Sequence, residues 1–195
     1  MKPISKSGRP LLALRQTITS AMADRTVVLG IGNPLCGDDD LGCETARLLQ
    51  AHGVLHALVC EEMPENFTAE VKACNPDSIL LVDAVDFFAG PGDVIYLRRE
   101  ELHSERFNTH KPALGLLMRY LESETGAEVA LIGIQPKNRA LHAPLSPEVR
   151  ESVTLLAAFL SDLAQPAGRI EDLYTVRDRT PQQNAPGSHS EKGIA

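Results

Sequence analysis

Short apolar runs alternate with amphipathic stretches over most of the 195-residue chain. Five runs have the length and composition of strands: "TVVLGIG" (Thr26–Gly32), "LHALVCE" (Leu55–Glu61), "SILLVDA" (Ser78–Ala84), "DVIYLR" (Asp93–Arg98) and "EVALIGI" (Glu128–Ile134). The stretches between them predict helices over Leu41–His52, Asn66–Cys74, Lys111–Glu124 and Pro147–Leu163. This alternation predicts an α/β fold with a largely parallel sheet that is covered on both faces.

The connection between the third and fourth predicted strands is unusual. It runs through "VDFFAGPG" from Val85 to Gly92, which is too short and too rich in glycine and proline for a crossover helix. We therefore expect the fourth strand to run antiparallel to its neighbour, which would make the sheet mixed.

The two ends of the chain differ in composition from its middle. Residues 1–25 begin with Lys, Ser, Gly and Pro and continue with "LLALRQTITSAMADR", whose apolar spacing favours one helix within an N-terminal extension. Residues 166–195 have few large apolar side chains and cannot bury enough surface to offset the entropy of ordering. The sequence predicts one domain over residues 26–165 and a disordered tail over residues 166–195.

Charge and cysteine content argue against several classes of function. A formal net charge of -7 opposes binding to nucleic acid or to a membrane surface, since both attract basic proteins. No apolar run reaches the roughly 20 residues of a membrane helix, and the N-terminus lacks a signal-peptide pattern, so we expect a soluble cytoplasmic protein. The four cysteines have no C-x-x-C spacing and are expected to be reduced and mostly buried: Cys36, Cys43, Cys60 and Cys74.

The stretch "LGIGNPLCGDDDLGCE" from Leu29 to Glu44 combines a glycine turn with three acids. Gly30 and Gly32 close the first strand as in a dinucleotide-binding loop, but Leu35 stands where that fingerprint requires a third glycine. Three carboxylates at the start of the next helix would also repel a pyrophosphate. The pattern therefore argues against a dinucleotide site.

Asp38, Asp39 and Asp40 have two interpretations. One or two of them are expected to cap the helix that begins near Leu41, an effect of about 0.5–2 kcal/mol for a good cap. A third is not needed for capping, and adjacent like charges repel one another. The excess negative charge indicates a cation or a proton in the neighbourhood.

Asp83 follows the apolar run Ile79–Val82, which places it at the carboxyl end of a central strand. In doubly wound sheets the first and third strands often lie side by side, with a ligand crevice at their carboxyl ends. Asp39 or a neighbour and Asp83 are therefore candidates for one site. The structural alternative for Asp83 is a strand-end acid that accepts a hydrogen bond from a nearby backbone N–H.

His110 precedes the third predicted helix in "FNTHKPALGLLMRYL", with Asn108 and Thr109 available as capping or orienting partners. Two carboxylates and one imidazole suit a borderline divalent metal such as nickel, zinc or iron, and they leave coordination positions open. The structural alternative is an exposed loop histidine.

Four motifs together carry a family resemblance that covers about Val27–Leu163. They are "GIGNPLCGDDDLG", "LLVDAVD", "THKPALGLLMRYL" and "LIGIQPKN", accompanied by "MPEN" at Met63–Asn66 and "GIQP" at Gly133–Pro136. In order and spacing they resemble the nickel–iron hydrogenase maturation endopeptidases, especially the branch that processes the large subunit of the formate-hydrogenlyase hydrogenase. The resemblance implies a three-layer α/β/α sandwich on a five-stranded, mostly parallel sheet with one antiparallel strand.

The resemblance also implies a site and an activity. By motif, Asp39, Asp83 and His110 surround the metal position, and the two carboxylates are candidate catalytic groups of an aspartic-type protease. The enzyme would remove the C-terminal extension of a hydrogenase large-subunit precursor after nickel insertion, with the nickel in the substrate as the recognition signal. Another divalent metal would be able to occupy the site in the isolated protein. The candidate supporting residues are Asp38, Asp40 and Thr109.

One position departs from the family pattern. The family usually reads Gly-Asp-Asp-Gly at this turn, and this chain has Asp40 in place of the second glycine. If the backbone there had a positive φ, Asp would tolerate it less well than Gly.

Two other functions are open on the residues alone. A receiver-type phospho-acceptor domain would use acids after strand one, Asp83 as acceptor and Lys137 after strand five. Receiver acids follow strand one almost directly to bind Mg²⁺, whereas six residues separate Gly32 from Asp39 here. The other alternative is a non-catalytic, metal-dependent binding module of the same fold.

Overall fold

The computed structural model describes residues 8–54, 56–103 and 112–164. Within these ranges the strands are β1 Thr26–Ile31, β2 Ala57–Glu61, β3 Ser78–Ala84, β4 Val94–Arg98 and β5 Glu128–Ile134. The helices are α1 Gly8–Ala21, α2 Leu41–Ala51, α3 Thr68–Ala73, α4 Pro112–Thr125 and α5 Pro147–Ala164. Short 3₁₀ turns cover Gly37–Asp40, Pro64–Phe67 and Arg99–His103. Every strand and helix predicted between residues 26 and 165 is present.

The five strands form one mixed sheet in the order β2-β1-β3-β5-β4. Four strands are parallel, and β4 pairs antiparallel with β5, as the short connection before it predicts. Strands β1 and β3 are neighbours, with Gly30 opposite Val82, and Asp83 lies opposite Gly133 of β5. The carboxyl ends of β1, β2, β3 and β5 therefore meet at one edge of the sheet, here called the carboxyl edge.

Helices cover both faces of the sheet, as the runs of consecutive apolar strand residues require. Because successive side chains of a strand point to opposite faces, Leu80 and Val82 of β3 join one core cluster with α1, α2 and α5. Ile79 and Leu81 join a second cluster with α3 and α4. The result is the three-layer α/β/α arrangement.

Helix α1 lies in the N-terminal extension and packs on the domain. Ile18 is 1% exposed and Leu14 is also buried, and both belong to the cluster that contains α5. The Arg15 guanidinium lies 4.6 Å from the centre of the Phe159 ring of α5, and α1 contacts the edge strand β4. The single helix expected in the extension therefore contributes apolar side chains to the main core.

No helix in the part of the chain that the structure describes combines the length and the apolar character needed to cross a membrane. Residues 166–195, for which the sequence predicts a disordered tail, lie outside the described residues.

Candidate active site

Two glycines bring the acidic turn onto the carboxyl edge. Gly32 has a φ of +147°, and a Cβ on it would lie 1.7 Å from the carbonyl oxygen of Asp39. A Cβ on Gly42 would lie 2.2 Å from the carbonyl oxygens of Ile31 and Val82. The absence of side chains at these two positions lets the turn after β1 fold back over the end of that strand, and lets α2 begin against β1 and β3.

Asp38 is fully buried and connects two loops of the carboxyl edge. Its carboxylate accepts hydrogen bonds from the backbone N–H groups of Lys137 (2.8 Å), Asn138 (2.8 Å) and Ser146 (2.6 Å), and from the hydroxyl of Ser146 (2.8 Å). Burial alone would raise the pKa of this carboxyl, but the hydrogen bonds outweigh burial and hold the pKa below its usual value. Asp38 therefore joins the loop after β5 to the turn after β1.

Asp39 is the acid of the turn that lies beside a cation from another loop. Its Oδ2 accepts a hydrogen bond from the backbone N–H of Asn33 at 3.1 Å, and its Oδ1 is 3.6 Å from Nε of Arg139. The same guanidinium donates from Nη2 to the carbonyl oxygen of Ala84 at 3.0 Å. Since Ala84 follows Asp83 directly, Arg139 connects the acidic turn to the end of β3.

Asp40 has an ordinary helical backbone. Its φ of -74° lies in the right-handed region, so the position that is glycine in the family pattern needs no glycine here. Both oxygens of its carboxylate accept hydrogen bonds from Nη1 of Arg47, at 3.1 and 3.0 Å. Asp40 is also the N-cap residue of α2, but its side chain makes no capping hydrogen bond.

The expectation that one or two of these acids cap the helix is therefore wrong. The Asp40 carboxylate is held by the guanidinium of Arg47, about two turns further along α2. Asp38 and Asp39 accept N–H groups of loops outside that helix. Longer-range partners satisfy all three carboxylates better than the first turn of α2 does.

Asp83 lies at the carboxyl end of the central strand β3, as predicted. Asp83 is 3% exposed, so it is more enclosed than a residue in the open crevice that we expected from the sequence. Its Oδ1 accepts the backbone N–H of Ala84 at 2.9 Å, so the hydrogen bond expected of a strand-end acid is present as well. Its side chain is on the face of β3 that carries Leu81 and is covered by α4, whose first residue is Pro112.

His110 and Thr109 lie outside the described residues. Within residues 8–54, 56–103 and 112–164, no three His, Cys, Asp or Glu side chains stand where they would be able to share a metal ion. The structure thus brings Asp39 and Asp83 to the ends of neighbouring strands, and the assignment of His110 as a third ligand stays a prediction.

The four cysteines are free thiols, as expected. Cys43 and Cys60 are buried, whereas Cys36 and Cys74 are partly exposed, so the expected burial holds for two of the four. Burial raises the pKa of Cys43 to about 11 and that of Cys60 to about 12. Neither buried thiol is suited to act as a nucleophile near neutral pH, because the thiolate is the reactive form.

Two polar residues at the carboxyl edge escaped the sequence reasoning. Arg139 lies in a loop, 100 positions along the chain from Asp39, and no local pattern links the two. Gln135 is 7% exposed and accepts the N–H groups of Phe87 and Ala89 on its Oε1. The "GIQP" motif that contains Gln135 was noted through the family resemblance, without a physical role.

A family model described as HycI, hydrogenase maturation protease, matches residues 62–162, which is just over half of the chain. The chain belongs to the hydrogenase maturation protease family. Members of this family are hydrolases that act on peptide bonds, so the chain is a protease of that class. The family assignment agrees with the resemblance inferred from the four motifs.

Individual members of the hydrogenase maturation protease family extend the likeness beyond the matched segment. The hydrogenase 3 maturation protease of Escherichia coli K12 is 29% identical over 131 residues, which are 65% of this chain and 83% of that protein. The crystal structure of the hydrogenase maturation protease HycI from Thermococcus kodakarensis matches with a TM-score of 0.70 and 28% identity, over 77% of this chain and 99% of that one. The solution structure of the endopeptidase HycI from Escherichia coli gives a TM-score of 0.63 and 26% identity, over 73% and 93% of the two chains.

The receiver alternative gains no support from the site of this protease. The lysine that would have to serve a phosphorylated Asp83 is Lys137, and its Nζ forms an ion pair with Glu148 at 2.7 Å. Its backbone N–H is bound to Asp38. The comparisons and the contacts of Lys137 therefore both favour the protease.

Proposed function

We propose that this protease removes the C-terminal extension of a nickel–iron hydrogenase large-subunit precursor after nickel has been inserted. The observation that carries the proposal is the position of Asp39 and Asp83 at the ends of the adjacent strands β1 and β3, connected through Arg139. In open α/β sheets ligands bind in the crevice outside the carboxyl ends of the strands, and both carboxylates belong to that edge.

The nickel is part of the substrate, and this chain contributes ligands to it. Asp39 and Asp83 provide carboxylate oxygens and His110 provides an imidazole, a donor set that suits nickel and leaves positions for ligands of the precursor. The isolated protease is able to take up another divalent metal at the same residues. Arg139 balances the charge of Asp39 before the precursor arrives and is displaced by the incoming cation.

Binding of the nickel places the scissile peptide bond beside the two carboxylates, so that the reacting groups are held close together. The attacking water is activated at that position by a carboxylate of the pair or by the nickel itself. The raised pKa values of Cys43 and Cys60 support hydrolysis by water rather than by a thiolate of either residue.

The net charge of the chain bears on which other partners it is expected to bind. The net charge of -7 supports a protein substrate that carries a metal cation, and opposes binding to nucleic acid or to a membrane. We further propose that the reaction takes place in the cytoplasm.

The test is to incubate the purified full chain with nickel-loaded and with metal-free precursor and to follow release of the C-terminal peptide by mass spectrometry. The proposal predicts release from the loaded precursor alone. Equal release from both forms would contradict recognition of nickel, and release from neither would contradict the assigned reaction.

A further inference from the structure

Large apolar side chains are exposed on every loop that follows a parallel strand. Leu35 after β1, Met63 after β2, Phe88 after β3 and Leu141 after β5 are 56%, 51%, 77% and 64% exposed. These four residues, here called the apolar rim, share the carboxyl edge with Asp39, Asp83 and Arg139. Because β2, β1, β3 and β5 are consecutive in the sheet, these side chains lie on neighbouring loops around the polar residues, an arrangement typical of a surface that binds a partner.

The backbone of the rim loops is held in conformations that bulky residues rarely adopt. In the described residues a positive φ occurs outside glycine at Glu61 (51°), Asn75 (45°), Phe88 (60°) and His142 (59°). Three of these four are rim residues or lie within two positions of one. Strained backbone persists where surrounding contacts enforce it, and it concentrates at functional sites.

Phe88 is the clearest case, because a partly buried polar network around Gln135 fixes the backbone at and on either side of it. Oε1 of Gln135 accepts the N–H groups of Phe87 at 2.9 Å and Ala89 at 3.2 Å, on either side of Phe88. Oδ1 of Asp86 accepts the N–H of Phe88 at 3.2 Å and a hydrogen bond from Nε2 of Gln135 at 3.1 Å. The most exposed large apolar residue of the rim is thus fixed before any partner binds, which lowers the entropic cost of binding.

We infer that the apolar rim is the docking surface for the folded hydrogenase large-subunit precursor, which it contacts through apolar side chains around the nickel site of that precursor. This inference rests on the proposed function and extends it from the metal to the protein surface. Two features argue for this occupant. The rim is continuous with the loops that carry Asp39, Asp83 and Arg139, and the carboxylates at its centre complement a cation.

A second copy of this chain is the competing occupant, and charge argues against it. Each copy carries a net charge of -7 and would present the same acids at the centre of the contact, so two carboxyl edges repel each other. A precursor that brings nickel to those acids avoids this repulsion.

Photo-crosslinking tests the docking surface independently of cleavage. Phe88→p-benzoylphenylalanine places the reactive group on the rim, and Leu155→p-benzoylphenylalanine places it at a comparably exposed position, 61%, on α5. After irradiation with nickel-loaded precursor, we expect a cross-link to the precursor from position 88 and not from position 155. Cross-links to a second copy of the chain, equal cross-links from both positions, or none from position 88 would overturn the inference.

Kinetics of Phe88→Gly provide the second measurement. Glycine accepts the positive φ of this position, so the variant should fold with an unchanged or higher melting temperature. We expect KM for the loaded precursor to rise about tenfold, with kcat within about twofold, whereas Leu155→Ser should leave both constants unchanged. An unchanged KM in Phe88→Gly would contradict the docking role.

Cleavage by the unmodified chain in the same series tests the proposed function separately, since the cross-link is read whether or not the peptide is released.

Discussion

Three neighbouring aspartates have different partners, although the partners of Asp38 and the Arg139 guanidinium beside Asp39 lie in the same loop after β5. Asp38 holds the loop after β5, Asp39 stands beside Arg139, and Asp40 pairs with Arg47 of α2. Because the three acids are consecutive in the sequence, their local pattern does not distinguish their roles. The partners of each acid, most of them distant in the sequence, distinguish the structural acid Asp38 from the candidate catalytic acid Asp39.

The substitution Asp38→Asn should unfold the protein more easily. An amide presents an NH₂ group where the carboxylate accepts hydrogen bonds, so a buried donor faces other donors, at a cost of about 2–4 kcal/mol in the free energy of unfolding. Chemical denaturation measures this loss. Asp39→Asn is the matched control, because Asp39 accepts a single backbone hydrogen bond and is partly exposed, and we expect it to change stability by less than about 1 kcal/mol. Equal losses in the two variants would contradict the structural role of Asp38.

The contribution of Asp38 should also depend on pH. Its pKa in the folded state lies below its usual value of 3.8, so the stabilisation is fully present above that value and is lost as the pH falls through the folded pKa. The difference in unfolding free energy between the unmodified chain and Asp38→Asn should therefore shrink at acidic pH. A difference that stays constant down to the unfolding pH would show that the ionised carboxylate is not its source.

Arg139 should weaken the binding of free metal ions. A guanidinium 3.6 Å from Oδ1 of Asp39 opposes a second cation at that carboxylate. Arg139→Gln should tighten Ni²⁺ binding to the full chain about fivefold to tenfold, since a nearby unit charge in a water-exposed site contributes about 1 kcal/mol. Calorimetric titration measures the effect. The control Arg150→Gln removes an exposed arginine of α5 and should leave the affinity unchanged, so an equal change in both variants would indicate net charge alone.

Among the elements, the strands were the most predictable part of the molecule. The apolar runs of β1 and β3 are buried on both faces, and a strand so enclosed needs no alternating pattern to be identified. The packing position of α1 was harder to predict, because its apolar spacing indicates a helix but does not show which elements that helix contacts. The structure shows α1 against α5 and the edge strand β4.

The packing of α1 predicts that residues before the first strand stabilise the domain. Ile18→Ala removes buried methyl groups from the cluster shared with α5 and should lower the free energy of unfolding by about 2–4 kcal/mol. Thr19→Ala, at an exposed position of the same helix, should stay within about 0.5 kcal/mol. A loss below about 1 kcal/mol for Ile18→Ala, measured by urea denaturation, would show that α1 is dispensable.

For the whole molecule, the order of the strands decides which loops meet. The sequence predicts β1 beside β3 from the general behaviour of doubly wound sheets, and this adjacency brings Asp39 and Asp83 to one edge. The contribution of Arg139 and the enclosure of Asp83 were not predictable, because both depend on loops that come together only in three dimensions. The same edge carries the apolar rim, so metal recognition and protein docking would use one surface.

The most direct test of the central claim is peptide release by Asp83→Asn. This variant keeps the shape of the side chain and removes its charge, and circular dichroism verifies that it folds. With nickel-loaded precursor, the account predicts no release of the C-terminal peptide by Asp83→Asn, and full release by the unmodified chain and by Asp162→Asn, which changes an exposed acid of α5. Release at the unmodified rate by a folded Asp83→Asn would contradict the assignment of this carboxylate to the active site.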